Sequence, residues 1–536
     1  WVVADLAMLQ LGIITVPVYP TISTYEYTYI FNDAEVKYCF IGDGDLKDKI
    51  SAVKANVLSF IDVITFDQQD AGIYWKDLFK DSHQDQINTI KQSIDPYDLA
   101  TIIYTSGTTG NPKGVMLSHN NIVSNVTTII KLIPINGGER TISFLPLCHV
   151  FERAVLYAYI YACVSVTFCG TDNLGGESGD LKRVRPHFFS TVPRLLEKVY
   201  DKIMAKGIEL SGVKKMIFFW ALSLTDDYEY DKTYSGFGAL KHKIADKLIF
   251  SKWREALGGN IKGIISGAAP LSEKIARTFS AAGIPIREGY GLTETSPGIA
   301  IGRFDKDGAL LGSIGPVIDG VKVIFDNSDT AYAHDEGEIL VNGPNIMMGY
   351  FKKPDQTSEV MKEINGEKWF CTGDIGKFIT NKQGNKFLKI TDRKKELLKT
   401  SGGKYVAPAP IESKLKEHYL VENVMIVGDN KKFVSALIIP ATHTLQDWCE
   451  KHSIAWTNKA DIIKLPKVIE RYQHIIDNAN RDFGQIEKVK KFALIDSDWE
   501  AMKKDGSLPE LTPTLKLKRR VILTKYAQDI EKIYSE

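Results

Sequence analysis

The chain has 536 residues, 44% of them hydrophobic and 25% charged, with 67 Lys plus Arg set against 66 Asp plus Glu for a net charge of +1. That length is too great for one hydrophobic core, so at least two domains are expected. The balanced charge supplies no field that would gather nucleic acid, and any basic patch must be local. Six cysteines (Cys39, Cys148, Cys163, Cys169, Cys371 and Cys449) show neither a Cys-x-x-Cys pair nor zinc-like His/Cys spacing, which reads as reduced thiols in a cytoplasmic protein.

The first residues already read as a helix, Trp1 to Leu11, running into a strand at Ile13 to Val18. With no initiating methionine and no signal peptide, the true start of the large domain is expected to lie upstream. Strand-like runs follow at Val36 to Ile41, Val63 to Phe66 and Ala100 to Tyr104, alternating with helical stretches. Ala154 to Gly170 is uncharged but carries Tyr157, Tyr159, Tyr161, Ser165 and Thr167, which favours a buried helix and buried strand over a membrane span. More strands are predicted at Ser165 to Cys169, Lys262 to Ser266 and Lys322 to Phe325. Between them, Asp172 to Asp180 and Gly207 to Lys243 lack periodicity and read as surface elaborations. Beyond Asp392-Arg393-Lys394-Lys395-Glu396 a smaller unit begins, with strands at Val424 to Val427 and Ser435 to Ile439 and a helix at Lys467 to Arg481. The α/β layering and the charged boundary divide the chain into 1–391 and 392–536.

Chemistry concentrates in ordered motifs. Leu99 to Tyr104 ends in Thr105-Ser106-Gly107-Thr108-Thr109-Gly110, followed by Lys113 and Gly114, and Ser118 then looks like an N-cap opening a helix. The loop is therefore expected to join strand to helix, its glycines letting successive N–H groups converge on a phosphate while the hydroxyls and Lys113 add donors and charge. A nucleotide-triphosphatase loop is excluded, because no Ser or Thr follows Lys113 to hold magnesium. A second constellation is Gly267-Ala268-Ala269-Pro270, small residues at a strand end that suit the flat face of a purine, and a third is Tyr290-Gly291-Leu292-Thr293-Glu294. There Tyr290 can stack on adenine, Thr293 can donate to an α-phosphate and Glu294 can hold Mg²⁺. Asp374, in a tight Thr372-Gly373-Asp374 turn, can accept two ribose hydroxyls.

Together these motifs resemble the adenylate-forming superfamily over nearly the whole chain. The resemblance implies an α/β adenylate-forming fold, with a large N-terminal domain of layered sheets and helices and a small mobile C-terminal α+β domain. It also implies that Arg393 approaches the same sugar as Asp374, and that the small domain swings about a hinge near 392–395 at Lys395. Gly402-Gly403 would then line the entry of CoA. The wording Lys399-Thr400-Ser401-Gly402-Gly403-Lys404-Tyr405-Val406 is similar to long-chain fatty acyl-CoA synthetases. In Leu515-Lys516-Leu517-Lys518 the resemblance assigns the adenylation lysine to Lys516, with Lys518 as the alternative; many members have Gly where Leu515 stands. His149, in Ser143 to Arg153, would sit beside the substrate carboxylate, with Thr191-Val192-Pro193-Arg194 as a second wall of the acyl site.

The implied reaction is ATP- and Mg²⁺-dependent activation of a long-chain fatty acid to acyl-AMP and then acyl-CoA. Alternatives are a fatty acyl-AMP ligase, a medium-chain or aryl acid–CoA ligase, and an inactive nucleotide-binding scaffold. Expected partners are fatty acid, ATP and CoA, without nucleic acid, and with peripheral contact to a membrane through local basic residues. Monomer and homodimer stay open.

Overall fold

The computed structural model describes the chain apart from residues 43, 69–71, 80–82, 106–110, 172, 177, 329–334, 403, 504–506, 513–514 and 536, and apart from the side chains at 44 and 45. Of the predicted phosphate loop, Ser106, Gly107, Thr108, Thr109 and Gly110 lie outside the described residues, as does Gly403.

A six-stranded sheet occupies the middle of the large domain. Its order is Gly298–Ile301, Ile286–Gly291, Gly263–Ser266, Phe188–Thr191, Arg140–Ser143 and Ser165–Phe168, parallel except at the first pair. Gly263–Ser266 and Phe188–Thr191 are buried throughout, as strands covered on both faces must be. On one face a core forms from Ile142, Phe189, Phe250, Trp253, Ile264 and Phe279. The helix Val150–Tyr161 and the strand Ser165–Phe168 match the expected pair, although that strand, at the sheet edge, is half-exposed rather than buried. Among the described residues no helix is long and apolar enough to cross a membrane.

Two expectations change near the N-terminus. The helix Val2–Gln10 forms, but Ile13 to Val18 contributes only an isolated bridge from Thr15 to Thr101. Pro17 and Pro20 lack the N–H groups a continuing ladder needs. The glycine-rich segment also leads elsewhere than expected: Leu99–Thr105 pairs antiparallel with Lys113–Ser118, so the loop joins two strands of a hairpin and not strand to helix. The helix begins one strand later, at His119, where Ser118 and Asn121 form a reciprocal capping box.

The stretch Gly207 to Lys243 is mostly helical, continuing Pro193–Glu209 through Gly212–Ser223 and into Gly236–Ala245. Its aromatic residues hide the 3.6-residue period because Phe218 and Ala221 pack into the core while Phe219, Trp220 and Leu222 cover its margin. A mainly antiparallel sheet of Lys322–Asp326, Gly337–Asn342, Glu367–Thr380, Met361–Ile364 and Lys386–Arg393 completes the large domain and leads directly to the domain boundary.

The small domain is built on Val421–Val427, Ser435–Pro440 and Lys491–Leu494. Alternation sends Val424, Ile426, Ala436 and Ile438 to one core and Met425, Val427, Leu437 and Ile439 to another. The helices Pro408–Lys416, Thr442–Lys451 and Pro466–Ala479 cover the first face; Arg519–Lys525 and Ala527–Ser535 cover the second. Leu511 and Leu517 bridge across a short hairpin, with Leu511 in that second core, which fixes the backbone on either side of Lys516.

Candidate active site

Between the two domains lies a cleft of about 2580 Å³. A pocket for one drug-sized ligand measures roughly 300 to 1,000 Å³, so this one has room for more than a nucleotide. One part of its lining is apolar, with Ile129, Ile133, Val155, Phe188, Ile301 and Ile318, most of them packed together in one cluster. Its other end is polar and receives groups from several separate segments of both domains.

Asp374 is the centre of that end. It lies inside the long strand Glu367–Thr380 at a bulge where Gly373 takes φ +73°, rather than in a turn closing a strand. Thr372 holds the bulge: its hydroxyl donates to the Ile339 carbonyl at 2.8 Å and accepts from the Asp374 N–H at 3.1 Å. The buried Asp374 carboxylate accepts from the Tyr290 hydroxyl at 2.6 Å and meets Arg393 Nε at 3.3 Å. Burial raises its pKa, while Arg393, Tyr290 and Lys516 pull the other way. Gly291, just beyond Tyr290, has no room for a side chain, since a Cβ there would stand 1.7 Å from the Pro297 carbonyl oxygen.

Glu294 sits in the turn Thr293–Thr295. Two asparagines anchor this loop and a third holds one of them in place: Asn345 donates to the Thr295 and Gly298 carbonyls at 3.1 and 2.9 Å, Asn125 exchanges two hydrogen bonds with Gly298, and Asn121 donates to the Pro344 and Ile346 carbonyls on either side of Asn345 at 2.7 and 2.9 Å. The Glu294 carboxylate accepts from the Tyr350 hydroxyl at 2.9 Å, and Lys113 lies over the Tyr350 ring at 4.9 Å. Burial raises the Glu294 pKa and Lys113 lowers it. Lys113 pairs in register with Thr105 at the mouth of the glycine-rich loop, so both described ends of that loop face Glu294's corner.

Gly267, Ala268 and Ala269 follow the strand Gly263–Ser266, and Ala268 takes φ +69°. Smallness is needed here, because a Cβ on Gly267 would press on the Phe151 ring at 3.0 Å. Phe151 belongs to the helix capped by His149, whose Nδ1 accepts from the Phe151 N–H at 3.2 Å. Burial, then Lys516, pushes the His149 pKa down to about 4, so the ring is neutral at ordinary pH.

The small domain delivers Lys516. Burial and Arg393 lower its pKa to about 8, opposed by Asp374 and Glu396. Its backbone is held by the Thr512 hydroxyl, which accepts from the Lys516 N–H at 3.0 Å. Leu515 takes φ +61°, the left-handed conformation that glycine adopts without strain. Lys518 N-caps the helix Arg519–Lys525 and its N–H donates to Glu510, so its backbone serves the helix start.

Thr105, Lys113, Ala268, Ala269, Tyr290, Gly291, Thr293, Glu294, Asp374, Arg393, His149 and Lys516 therefore share one cleft, and Lys395 lines its border. Gly267 and Gly402 are not among the lining residues: Gly267 lies behind Ala268 against the Phe151 ring, and Gly402 is exposed between Leu398–Lys399 and Tyr405–Val406. Sequence reasoning missed Tyr350, the partner of Glu294, and Glu338, which takes Lys394 Nζ at 2.8 Å beside the boundary. Neither belongs to a motif with a spacing of its own, and each is found only through its tertiary neighbour.

Comparison with known proteins defines the class. Residues 1–351 match the AMP-binding enzyme family, and residues 395–536 match the AMP-binding enzyme C-terminal domain. The chain belongs to the AMP-binding enzyme family, and its fold is that of the adenylate-forming enzymes. Within the family, it is 33% identical over 554 aligned residues to the long-chain-fatty-acid–CoA ligase FadD15 of Mycobacterium bovis, covering 100% of this chain and 86% of that protein. Long chain acyl-CoA synthetase 8 of Arabidopsis thaliana is 28% identical over 575 residues, covering 100% of this chain and 77% of the relative. Among solved structures, the adenylation domain of a carboxylate reductase from Mycobacterium chelonae superposes with a TM-score of 0.72 at 21% identity, over 99% of this chain and 78% of that one. The anthranilate CoA ligase AuaEII, bound to anthranoyl-AMP, gives 0.69 at 17% identity over 99% and 86%.

Proposed function

We propose that this chain is an AMP-forming long-chain fatty acid–CoA ligase. The observation that carries the reading is the meeting of Lys516, from the small domain, with Arg393 at the domain boundary and Asp374 of the large domain, at the polar end of a cleft that also has an apolar lining. In the first step a fatty carboxylate oxygen attacks the α-phosphorus of ATP and pyrophosphate leaves. In the second the CoA sulfur attacks the acyl carbonyl, its proton goes to solvent, and AMP departs. Asp374 accepts the ribose hydroxyls, Tyr290 stacks on adenine, and Gly267, Ala268 and Ala269 form the flat floor under the base. Thr105, Ser106, Gly107, Thr108, Thr109, Gly110 and Lys113 grip the β- and γ-phosphates, while Thr293 donates to the α-phosphate. Lys516 bridges carboxylate and α-phosphate, where a cation offsets the charge that builds in the transition state. Neutral His149 donates to the fatty carboxylate without adding charge.

Among the described residues no group of three or more His, Cys, Asp or Glu side chains gathers to hold a metal. A single carboxylate, Glu294, nonetheless fits Mg²⁺, which commonly takes one or two carboxylates and completes its shell with phosphate oxygens and water. When bound, the ion neutralises phosphate charge. The division into 1–391 and 392–536, with a hinge at Lys395, has the small domain rotate after adenylation to bring Gly402 and Gly403 against the pantetheine arm.

The test is AMP and pyrophosphate release with MgATP and a panel of fatty acids, with and without CoA, for wild type and Lys516→Ala. CoA-dependent AMP formation that peaks at long chains and is lost in the variant supports the ligase. Pyrophosphate release indifferent to CoA points to an acyl-AMP ligase, aryl or medium-chain preference to the other ligases, and silence to a scaffold.

Peripheral membrane contact of a cytoplasmic enzyme has one supporting surface. On Gly236–Ala245 and the turn after it, Phe237, Leu240, Ile244 and Leu248 are exposed at helical spacing, with Lys241, Lys243 and Lys247 beside them. A solvent-facing apolar stripe flanked by lysines suits an anionic bilayer, where its fatty substrates partition. Co-flotation with anionic but not neutral vesicles, lost in Phe237→Asp, checks it.

A further inference from the structure

Among the described residues, ion pairs and hydrogen bonds between the small domain and the large one form two sets of different character. One set lies at the hinge: Arg393 with Asp374 and Lys394 with Glu338. The other lies on the body of the small domain. Glu422, on the strand Val421–Val427, pairs with Arg194 at the start of the helix Pro193–Glu209, and Arg194 is also held by Glu197 at 3.3 Å. Beside it, Ser272 donates to Glu417 at 2.8 Å, at the end of the helix Pro408–Lys416.

A rotation displaces atoms in proportion to their distance from the axis. Contacts made within two residues of Lys395 survive a swing with small adjustments. Those made by Glu417 and Glu422, which ride on the rigid sheet and helix, must break. They exist in the pose that presents Lys516 to Asp374's corner, so their free energy weights that pose against every other.

From this geometry we infer that Arg194 with Glu422, assisted by Ser272 with Glu417, positions Lys516 for the first half-reaction and is released for the second. The inference rests on the two-pose reading given above. Arg194 acts here through the small domain, so it is a positioning residue rather than only a wall of the acyl site. The pair is half-exposed, with side-chain accessibilities of 21% and 39%. Ion pairs of that kind shift an equilibrium by about two- to fivefold, which sets the scale of the effect.

The experiment separates the half-reactions in the intact chain. Acyl-AMP formation is followed by fatty-acid-dependent pyrophosphate exchange, and thioester formation by single turnover of enzyme carrying preformed acyl-AMP on adding CoA. The variants are Glu422→Gln, Arg194→Gln, both together, and the exchanged pair Arg194→Glu with Glu422→Arg. Each single variant is expected to slow acyl-AMP formation about two- to fivefold while thioester formation holds or quickens. The double variant should be no worse than the weaker single one, and the exchanged pair should recover most of the rate. Equal slowing of both half-reactions, or no recovery on exchange, overturns the assignment. Glu422→Gln alone decides it if Arg194 variants fail to fold, because it removes the charge of the pair from the small-domain side and leaves Arg194 in place. Lys516→Ala, run in parallel, tests the underlying two-pose reading separately: it should lose the first half-reaction and keep the second, and loss of both alike rejects that reading whatever the pair does.

Discussion

Glu152 is 1% exposed, and among the described residues no cation pairs with it. Its carboxyl instead accepts from the Ser143 hydroxyl at 2.5 Å and the Ser190 hydroxyl at 2.6 Å. Burial outweighs both hydrogen bonds and raises its pKa from 4.5 to about 7. A carboxyl whose folded pKa is raised binds its proton more tightly in the native state. Its contribution to stability is therefore complete below the unfolded value of 4.5, declines as pH rises, and is lost above about 7. At about 1.4 kcal/mol per pKa unit, a shift of this size amounts to roughly 3 kcal/mol. Glu152→Gln keeps the shape and removes the ionisation, so the variant should match wild type near pH 5 and exceed it by an amount of that order near pH 8. Urea midpoints for both proteins, measured across that range, give the difference directly. A difference that does not change with pH, or a variant weaker at pH 8 than at pH 5 relative to wild type, refutes the argument. Either result would mean that the two serines hold an ionised carboxylate.

Three further outcomes follow from the same geometry. Gly291→Ala should destabilise the large domain by about 3 kcal/mol or more, because its Cβ meets the Pro297 carbonyl oxygen at 1.7 Å with backbone on both sides; thermal melts of the purified variant check it. Leu515→Gly should preserve acyl-AMP formation, since glycine adopts φ +61° freely, whereas the β-branched Leu515→Val should lose about 1 to 2 kcal/mol of hairpin stability and a corresponding part of the pyrophosphate exchange rate. With Lys516 near 8 and lowered from 10.5, its charge is present below pH 8 and lost above it, so kcat/KM for acyl-AMP formation should fall about tenfold per pH unit beyond that point; a profile flat to pH 10 contradicts the role.

Much of this molecule is local, and local features are what a sequence carries. Ser118 caps a helix because its own side chain reaches the backbone N–H of Asn121, three residues on. Leu99–Thr105 and Ser435–Pro440 are strands because β-branched and apolar side chains suit a pleated, buried surface. Motif order alone led to the adenylate-forming family, since small residues, hydroxyls and a carboxylate at those places serve a nucleotide wherever the chain folds around it. The failures mark where local signals conflict or end. Ile13 to Val18 has strand composition, but Pro17 and Pro20 break the ladder. The aromatic run after Gly207 forms helices because core packing, not amphipathic period, decides them. The glycine-rich segment joins two strands of a hairpin because Lys113–Ser118 pairs back onto Leu99–Thr105 before the helix at His119 begins.

What the sequence determined by itself was the inventory: which residues could grip phosphate, ribose and carboxylate, and in what order they come. Tertiary structure alone decided their company. Lys516 lies 142 positions after Asp374 yet feels its charge, Tyr350 meets Glu294 across 56, and Arg194 meets Glu422 across 228. Burial and long-range electrostatics set the protonation of Lys516, His149 and Glu152, and both arise only when separate segments exclude water from a common space.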